Sequence, residues 1–149
     1  MCSGVEYELD GRRTKVYFPN PKAQLPVRRQ GGGGVMVPWG ARGREPAQDL
    51  RLGGRPTWIA GGWARYESIQ KGAWDDYKPV PTRIQVLAFM EKDADEASHW
   101  FDLAPDQYIQ GLLAHLGGER RIYVVTVPAP PEYARIHDRW PRLVTGSKM

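Results

Sequence analysis

Ala104-Pro105-Asp106-Gln107-Tyr108-Ile109-Gln110-Gly111-Leu112-Leu113-Ala114-His115-Leu116 is the stretch on which the fold turns. Tyr108, Leu112 and Leu116 recur at i, i+4 and i+8 behind Pro105, as in an amphipathic helix, whereas Gly111 inside the run opposes one. On the residues alone both readings stay open. Downstream, Arg121-Ile122-Tyr123-Val124-Val125-Thr126-Val127 is plainly a strand, closed by Pro128-Ala129-Pro130-Pro131. Prolines at a helix start suit a short helix over Glu132 to Ile136, and His137 follows it directly.

Upstream the chain reads as short strands joined by turns. Trp100 to Leu103 is a strand, Asp93-Ala94-Asp95-Glu96 a polar turn, and Thr82 to Met90 an apolar strand that delivers Glu91 at its end. A carboxylate there is either an edge charge or a desolvated acid with a raised pKa. Ala73 to Tyr77 reads as a short helix ended by Pro79 and Pro81. Ala41 to Pro56, rich in Arg, Gly and Pro, is a surface excursion. Val35 to Gly40 is a buried strand running into a turn, and Ala23 to Arg29 a strand leading to the Gly31–Gly34 run. That run lacks a following Gly-Lys-Ser/Thr and GxGxxG spacing, so it is a hairpin tip rather than a phosphate loop. Asp10-Gly11 marks a hairpin between Val5–Leu9 and a return strand over Lys15 to Phe18.

At 149 residues, with no internal repeat and no dividing break, the chain is expected to be a single domain spanning residues 1–149. One cysteine excludes an intramolecular disulfide framework, and His99, His115 and Cys2 show no metal-ligand spacing, so neither a metal nor a cofactor is expected. No apolar leader opens the chain and no run reaches the ~18 residues of a membrane span, which points to a soluble, cytoplasmic protein without a membrane partner. Lys and Arg outnumber Asp and Glu by 21 to 17, a modest basic bias. Its distribution says more. Arg12-Arg13-Lys15, Arg28-Arg29, Arg42-Arg44-Arg51-Arg55 and Arg135-Arg139-Arg142 are interleaved with Trp39, Trp58, Trp63, Trp74 and Trp140. That is the composition of a groove for single strands, cations on phosphates and rings on bases.

Cys2 stands directly behind Met1. A small second residue normally lets the methionine be removed, which would leave Cys2 with two nucleophiles, an α-amine of pKa ~7.7–8.0 and a thiol of pKa ~8.5. The amine can form an imine with an aldehyde, and the neighbouring thiol can close it to a thiazolidine. No cysteine elsewhere in a chain has this chemistry.

The order Met1-Cys2, Trp39-Gly40, Ala64-Arg65-Tyr66-Glu67-Ser68, Phe89-Met90-Glu91, Tyr123-Val124-Val125-Thr126 and Ile136-His137-Asp138-Arg139-Trp140-Pro141 resembles the SOS-response-associated peptidase (SRAP) family across nearly the whole chain. The family's motifs run Met-Cys-Gly-Arg, Trp-Gly, Asn-Ala-Arg-x-Glu-Thr, Gly-Phe-Tyr-Glu-Trp, Ile-Leu-Thr and Ile-His-Asp-Arg-Met-Pro. The resemblance implies a protein that senses abasic sites in single-stranded DNA and crosslinks to the ring-opened sugar through an N-terminal cysteine. It implies Cys2 as nucleophile, Glu91 as acid or base and His137 as proton carrier. Arg65 and Arg139 would hold phosphates, and Trp39 and Trp63 would line the DNA side, Trp39 walling the pocket or stacking on a base. The protein would be a monomer, associated with the nucleoid when bound to DNA.

The resemblance also selects strand over helix for Tyr108 to Leu113. The implied fold is α+β, mainly antiparallel strands in an open barrel-like core with a few short peripheral helices, and with Cys2, Glu91 and His137 meeting in one cleft. The chain departs from the family at Ser3-Gly4 in place of Gly-Arg, Trp63 in place of Asn, Lys92 in place of Trp and Trp140 in place of Met. These departures keep two other functions in view. One is a non-covalent single-strand-binding module, suggested by Trp63 and Lys92. The other is a cysteine peptidase acting on its own Met1 or beyond it.

Overall fold

The structure is a computed structural model and describes residues 2–28, 33–47 and 56–146. The readings placed on Met1, Arg29, Gly31, Gly32, Arg51 and Arg55 lie outside these residues. Strands dominate, mostly antiparallel, in two sheets that do not close.

The first sheet starts from a hairpin, β1 (Gly4–Leu9) and β2 (Arg12–Tyr17). Asp10 and Gly11 both take left-handed backbone angles, φ 52° and 77°, as a two-residue loop between right-twisted strands requires. β1 also pairs with β7 (Ala88–Lys92), and β7 with β8 (Ser98–Asp102).

The second sheet runs β11 (Arg139–Pro141), β10 (Glu119–Pro128), β9 (Gln107–Leu116), β6 (Val80–Ile84), β3 (Gln24–Arg28), β4 (Gly34–Pro38). β12 (Leu143–Thr145) pairs with β9, and β5 (Trp63–Arg65) lies parallel to β10.

β9 settles the ambiguous stretch as strand. Residues i, i+4 and i+8 share a strand face as well as a helix face, since all are even steps apart. β9 is buried on both sides. Ile109 enters one apolar cluster, with Leu25, Ile84, Phe89 and Trp140 between the sheets, while Leu112 and Ala114 enter a second, with Trp58, Trp74 and Tyr123. Gly111 is what close packing between strands demands: a Cβ there would meet Ile122 Cδ1 at 2.7 Å and Ile84 Cγ1 at 2.9 Å.

Two expectations need correction. Thr82 to Met90 is not one strand but the end of β6 and the start of β7, which belong to different sheets. At the crossing, Gln85 N–H donates to Pro26 and Leu87 N–H to Glu6. Ile84 and Val86 before it and Phe89 after it all reach the same apolar cluster, so the run stays apolar across the change of pairing partner. Helix is also scarcer than the α+β reading supposed. The only α-helix among the described residues is α1 (Tyr66–Gln70), while Ala73–Tyr77 and Glu132–Ile136 reduce to single 3₁₀ turns at Asp75–Tyr77 and Pro131–Tyr133.

Candidate functional site

Cys2 leads into β1 and is held from both sides. Ser3 N–H donates to the Met90 carbonyl and Phe18 N–H to the Ser3 carbonyl, each at 3.0 Å, so the first described residues are clamped between β7 and the end of β2. Strand alternation then divides the side chains. Ser3, Met90 and Lys92 line an outer depression of about 330 Å³ with Tyr17, Pro19 and Ser98. Their neighbours Cys2 and Glu91 turn inward and are fully buried.

That burial governs their chemistry. The Cys2 thiol, donating to the Gly4 carbonyl at 3.5 Å, is pushed far above the usual thiol range, first by burial and next by the negative charge of Glu91. Burial likewise raises the Glu91 carboxyl to about 7. Burial therefore favours the neutral thiol and places the Glu91 carboxyl where it exchanges its proton near neutrality.

Trp63, at the start of β5, donates its indole N–H to the Cys2 carbonyl at 2.5 Å and packs against Phe18 at 4.7 Å. Trp63 thus supplies a hydrogen-bond donor aimed at the main chain of Cys2. Phe18, a residue with no chemical motif around it, completes this enclosure.

His137 sits at the rim. Its neighbours Ile136 and Trp140 belong to the same apolar cluster as Cys2, and its ring is about 30% exposed. Its contacts run to its own turn: Nδ1 accepts from Arg139 N–H at 3.2 Å and lies 3.0 Å from Asp138 Oδ1. Burial lowers its pKa, which favours the neutral ring with Nδ1 as acceptor. Cys2 and Glu91 are thus together, and His137 adjoins their core without a hydrogen bond to Cys2.

The expected DNA-facing residues divide. Arg65 is exposed at the end of β5. Arg139 is only 7% exposed, and its fork is spent internally. It donates to both Glu67 carboxylate oxygens at 2.9 Å and to the Thr126 carbonyl at 2.8 Å, with Thr126 Oγ1 beside it. This bond to Arg139 holds Glu67 down at about 2. The arginine expected to grip phosphate is therefore turned to Glu67 and Thr126. Trp39 is fully buried, its indole N–H on the Gly62 carbonyl at 3.0 Å, so it walls the core and offers no face to a base.

Sequence reasoning passed over Thr126 and Phe18, because a buried hydroxyl and a core ring carry no local signal. His99 pairs with Asp93 at 2.7 Å and His115 bonds the Lys78 carbonyl at 3.0 Å. Among the described residues no group of His, Cys, Asp and Glu is arranged to hold a metal ion, and no helix is long and apolar enough to cross a membrane. Comparisons with protein-family models, with curated proteins and with solved structures give no match to this chain.

Proposed function

We propose that the chain captures ring-opened abasic sugars in single-stranded DNA through Cys2, once Met1 has been removed. The observation that carries the reading is the burial of Glu91 beside Cys2, with the carboxyl raised to about 7. A carboxyl poised near neutrality serves both halves of the reaction. The Cys2 amine adds to the C1′ aldehyde. Protonated Glu91 gives its proton to the carbinolamine hydroxyl, which leaves as water to form the imine. The resulting carboxylate takes the thiol proton as Sγ bonds to C1′, and the C=N electron pair returns to the iminium nitrogen, closing the thiazolidine. Net, one water is released.

Support also comes from Trp63, whose bond to the Cys2 carbonyl orients the main chain carrying both nucleophiles. Exposed Arg65 is the cation available to a phosphate, and His137 at the rim exchanges protons with solvent. The family architecture comes with this reading, the two open sheets standing as halves of a barrel-like α+β core. So do its monomeric state and a cytoplasmic, nucleoid-associated location. In the chain that carries Met1 the thiol is buried and favours its neutral form.

Incubation with an abasic oligonucleotide tests this. Protein shown by intact mass to lack Met1 should give a heat-stable adduct, abolished by Cys2→Ala and slowed at least tenfold by Glu91→Gln. Salt-sensitive binding that ignores the abasic site, with no adduct, would replace capture by simple strand binding.

A further inference from the structure

A different feature lies on the opposite face of the second sheet. Side chains at even positions of β9 point away from the cluster that holds Cys2: Ile109 faces that cluster, Leu112 the other. On this second face a single cross-strand row carries three arginines. Arg83 on β6 is in register with Gln110 on β9. Arg142, just before β12, accepts the Gln110 N–H at 2.8 Å through its carbonyl and so lies beside it. One step along the antiparallel register from Val27 and Ile84, Arg28 on β3 faces Arg83.

Neighbouring strands are about 4.8 Å apart, and like charges directly opposite repel. Among the described residues no ion pair offsets them: Arg139 pairs with Glu67 and Arg121 with Glu45, but Arg28, Arg83 and Arg142 form none. Arg28 instead donates to the Tyr108 hydroxyl, and the Arg28 and Arg83 guanidiniums flank the Tyr108 ring at 5.4 and 5.6 Å. Arg142 lies over Tyr66 at 4.6 Å and donates to Gln110 Oε1.

Arg83 is the anomaly. It is 6% exposed, and its Nη1 is buried with no hydrogen-bond partner. A guanidinium does not escape this cost by losing its proton. Arg83, Gln110 and Arg142 together line a recess of about 240 Å³ with Pro81, Thr82 and Val144. Gln110 spends its carbonyl oxygen on Arg142, which leaves its amide N–H₂ to donate.

We infer that this recess binds one phosphate group, with Arg83 and Arg142 as its cationic clamps and Gln110 as a neutral donor between them. A phosphate oxyanion neutralises the row and matches a guanidinium fork bidentately. The site is separate from Cys2 and does not depend on Cys2 reacting.

The test uses the full chain carrying Cys2→Ala, so that capture chemistry plays no part. Inorganic phosphate, thymidine monophosphate and a short oligothymidylate without abasic sites are titrated at ionic strength matched with chloride, following amide and guanidinium NMR shifts and Tm. A saturable response to inorganic phosphate or the mononucleotide assigns a free oxyanion. A response to oligothymidylate alone assigns a phosphodiester, and either supports the site. Arg83→Met and Arg142→Met should each weaken binding about tenfold or more. Arg83→Met should also raise the Tm of the phosphate-free protein by removing the unpartnered charge. No saturable response to any of the three probes, unchanged affinity in both variants, or a lower phosphate-free Tm for Arg83→Met would overturn the inference.

Discussion

Glu91 and Glu67 are carboxylates of one chain driven in opposite directions. Glu91 lies between the two sheets beside the Cys2 thiol, and burial lifts it to about 7. Glu67 opens α1, half-exposed, and the Arg139 fork holds it at about 2. Burial alone favours the neutral acid, whereas an opposite charge packed with two aligned hydrogen bonds favours the anion. The difference separates a group ready to exchange a proton near neutrality from one fixed as a strut, and only the first is suited to acid–base work.

The largest expected effect comes from breaking the Glu91 side. Its folded pKa, about 7, lies above the unfolded value of ~4.3. Its contribution to stability is therefore fully present below the unfolded value and is lost as pH rises through about 7. In urea unfolding at pH 5, 7 and 9, Glu91→Gln should gain on the native protein by about 3 kcal/mol between the extremes. The same change removes a negative charge acting on Cys2, so iodoacetamide should alkylate the variant thiol several-fold faster at pH 8. A stability gap flat across pH would show that Glu91 titrates as an ordinary surface acid.

Breaking the Glu67 side should cost less and follow the reverse pH course. Arg139→Met strands the buried Thr126 carbonyl and deletes the fork to Glu67, a loss of about 2 kcal/mol at pH 7. Glu67 is depressed below its unfolded pKa, so the part it supplies is present above ~4.3 and disappears as pH falls through about 2. Tm measured from pH 7 to pH 2 should show the two proteins converging. Parallel curves would mean that the ion pair contributes nothing and the Thr126 bonds everything.

The two carboxylates were unequally legible in the sequence. Glu91 was marked by its place at the end of an apolar strand, but its inward turn was not, because the inward residues are Ile84 and Val86 before the crossing and Phe89 after it. Glu67 was marked only by a motif, and its partner Arg139, 72 positions away, has no local trace. β10 was legible as a continuous apolar run, Ile122 to Thr126 being buried in succession, and β1 through the Asp10-Gly11 turn that ends it. The crossing at Gln85–Leu87 was not, because the run stays apolar and buried on both sides of it while the pairing partner changes and the inward face passes from even to odd positions. β9 was ambiguous by parity, and Gly111, the residue against a helix, was a true signal of close strand packing. Trp39 and Arg139 carried nucleic-acid chemistry in composition but are consumed by the core, since composition does not report which way a side chain faces.

Trp63 provides the finest adjustment of the same contrast, because it acts on the Cys2 main chain without touching either carboxylate's titration. Its indole N–H is the one side-chain donor on the Cys2 carbonyl among the described residues, and its ring leans on Phe18. Trp63→Phe keeps most of the aromatic contact and deletes the donor, which should cost about 1 kcal/mol. Its pH dependence should stay that of the native protein. The sharper readout is amide exchange at Ser3, whose N–H closes on Met90. If the indole steadies the first residues against β7, exchange there should quicken several-fold while the amides of β10 stay unchanged. Unaltered exchange at Ser3 would leave the clamp to β7 and Phe18 alone, and the tryptophan would then be packing rather than positioning.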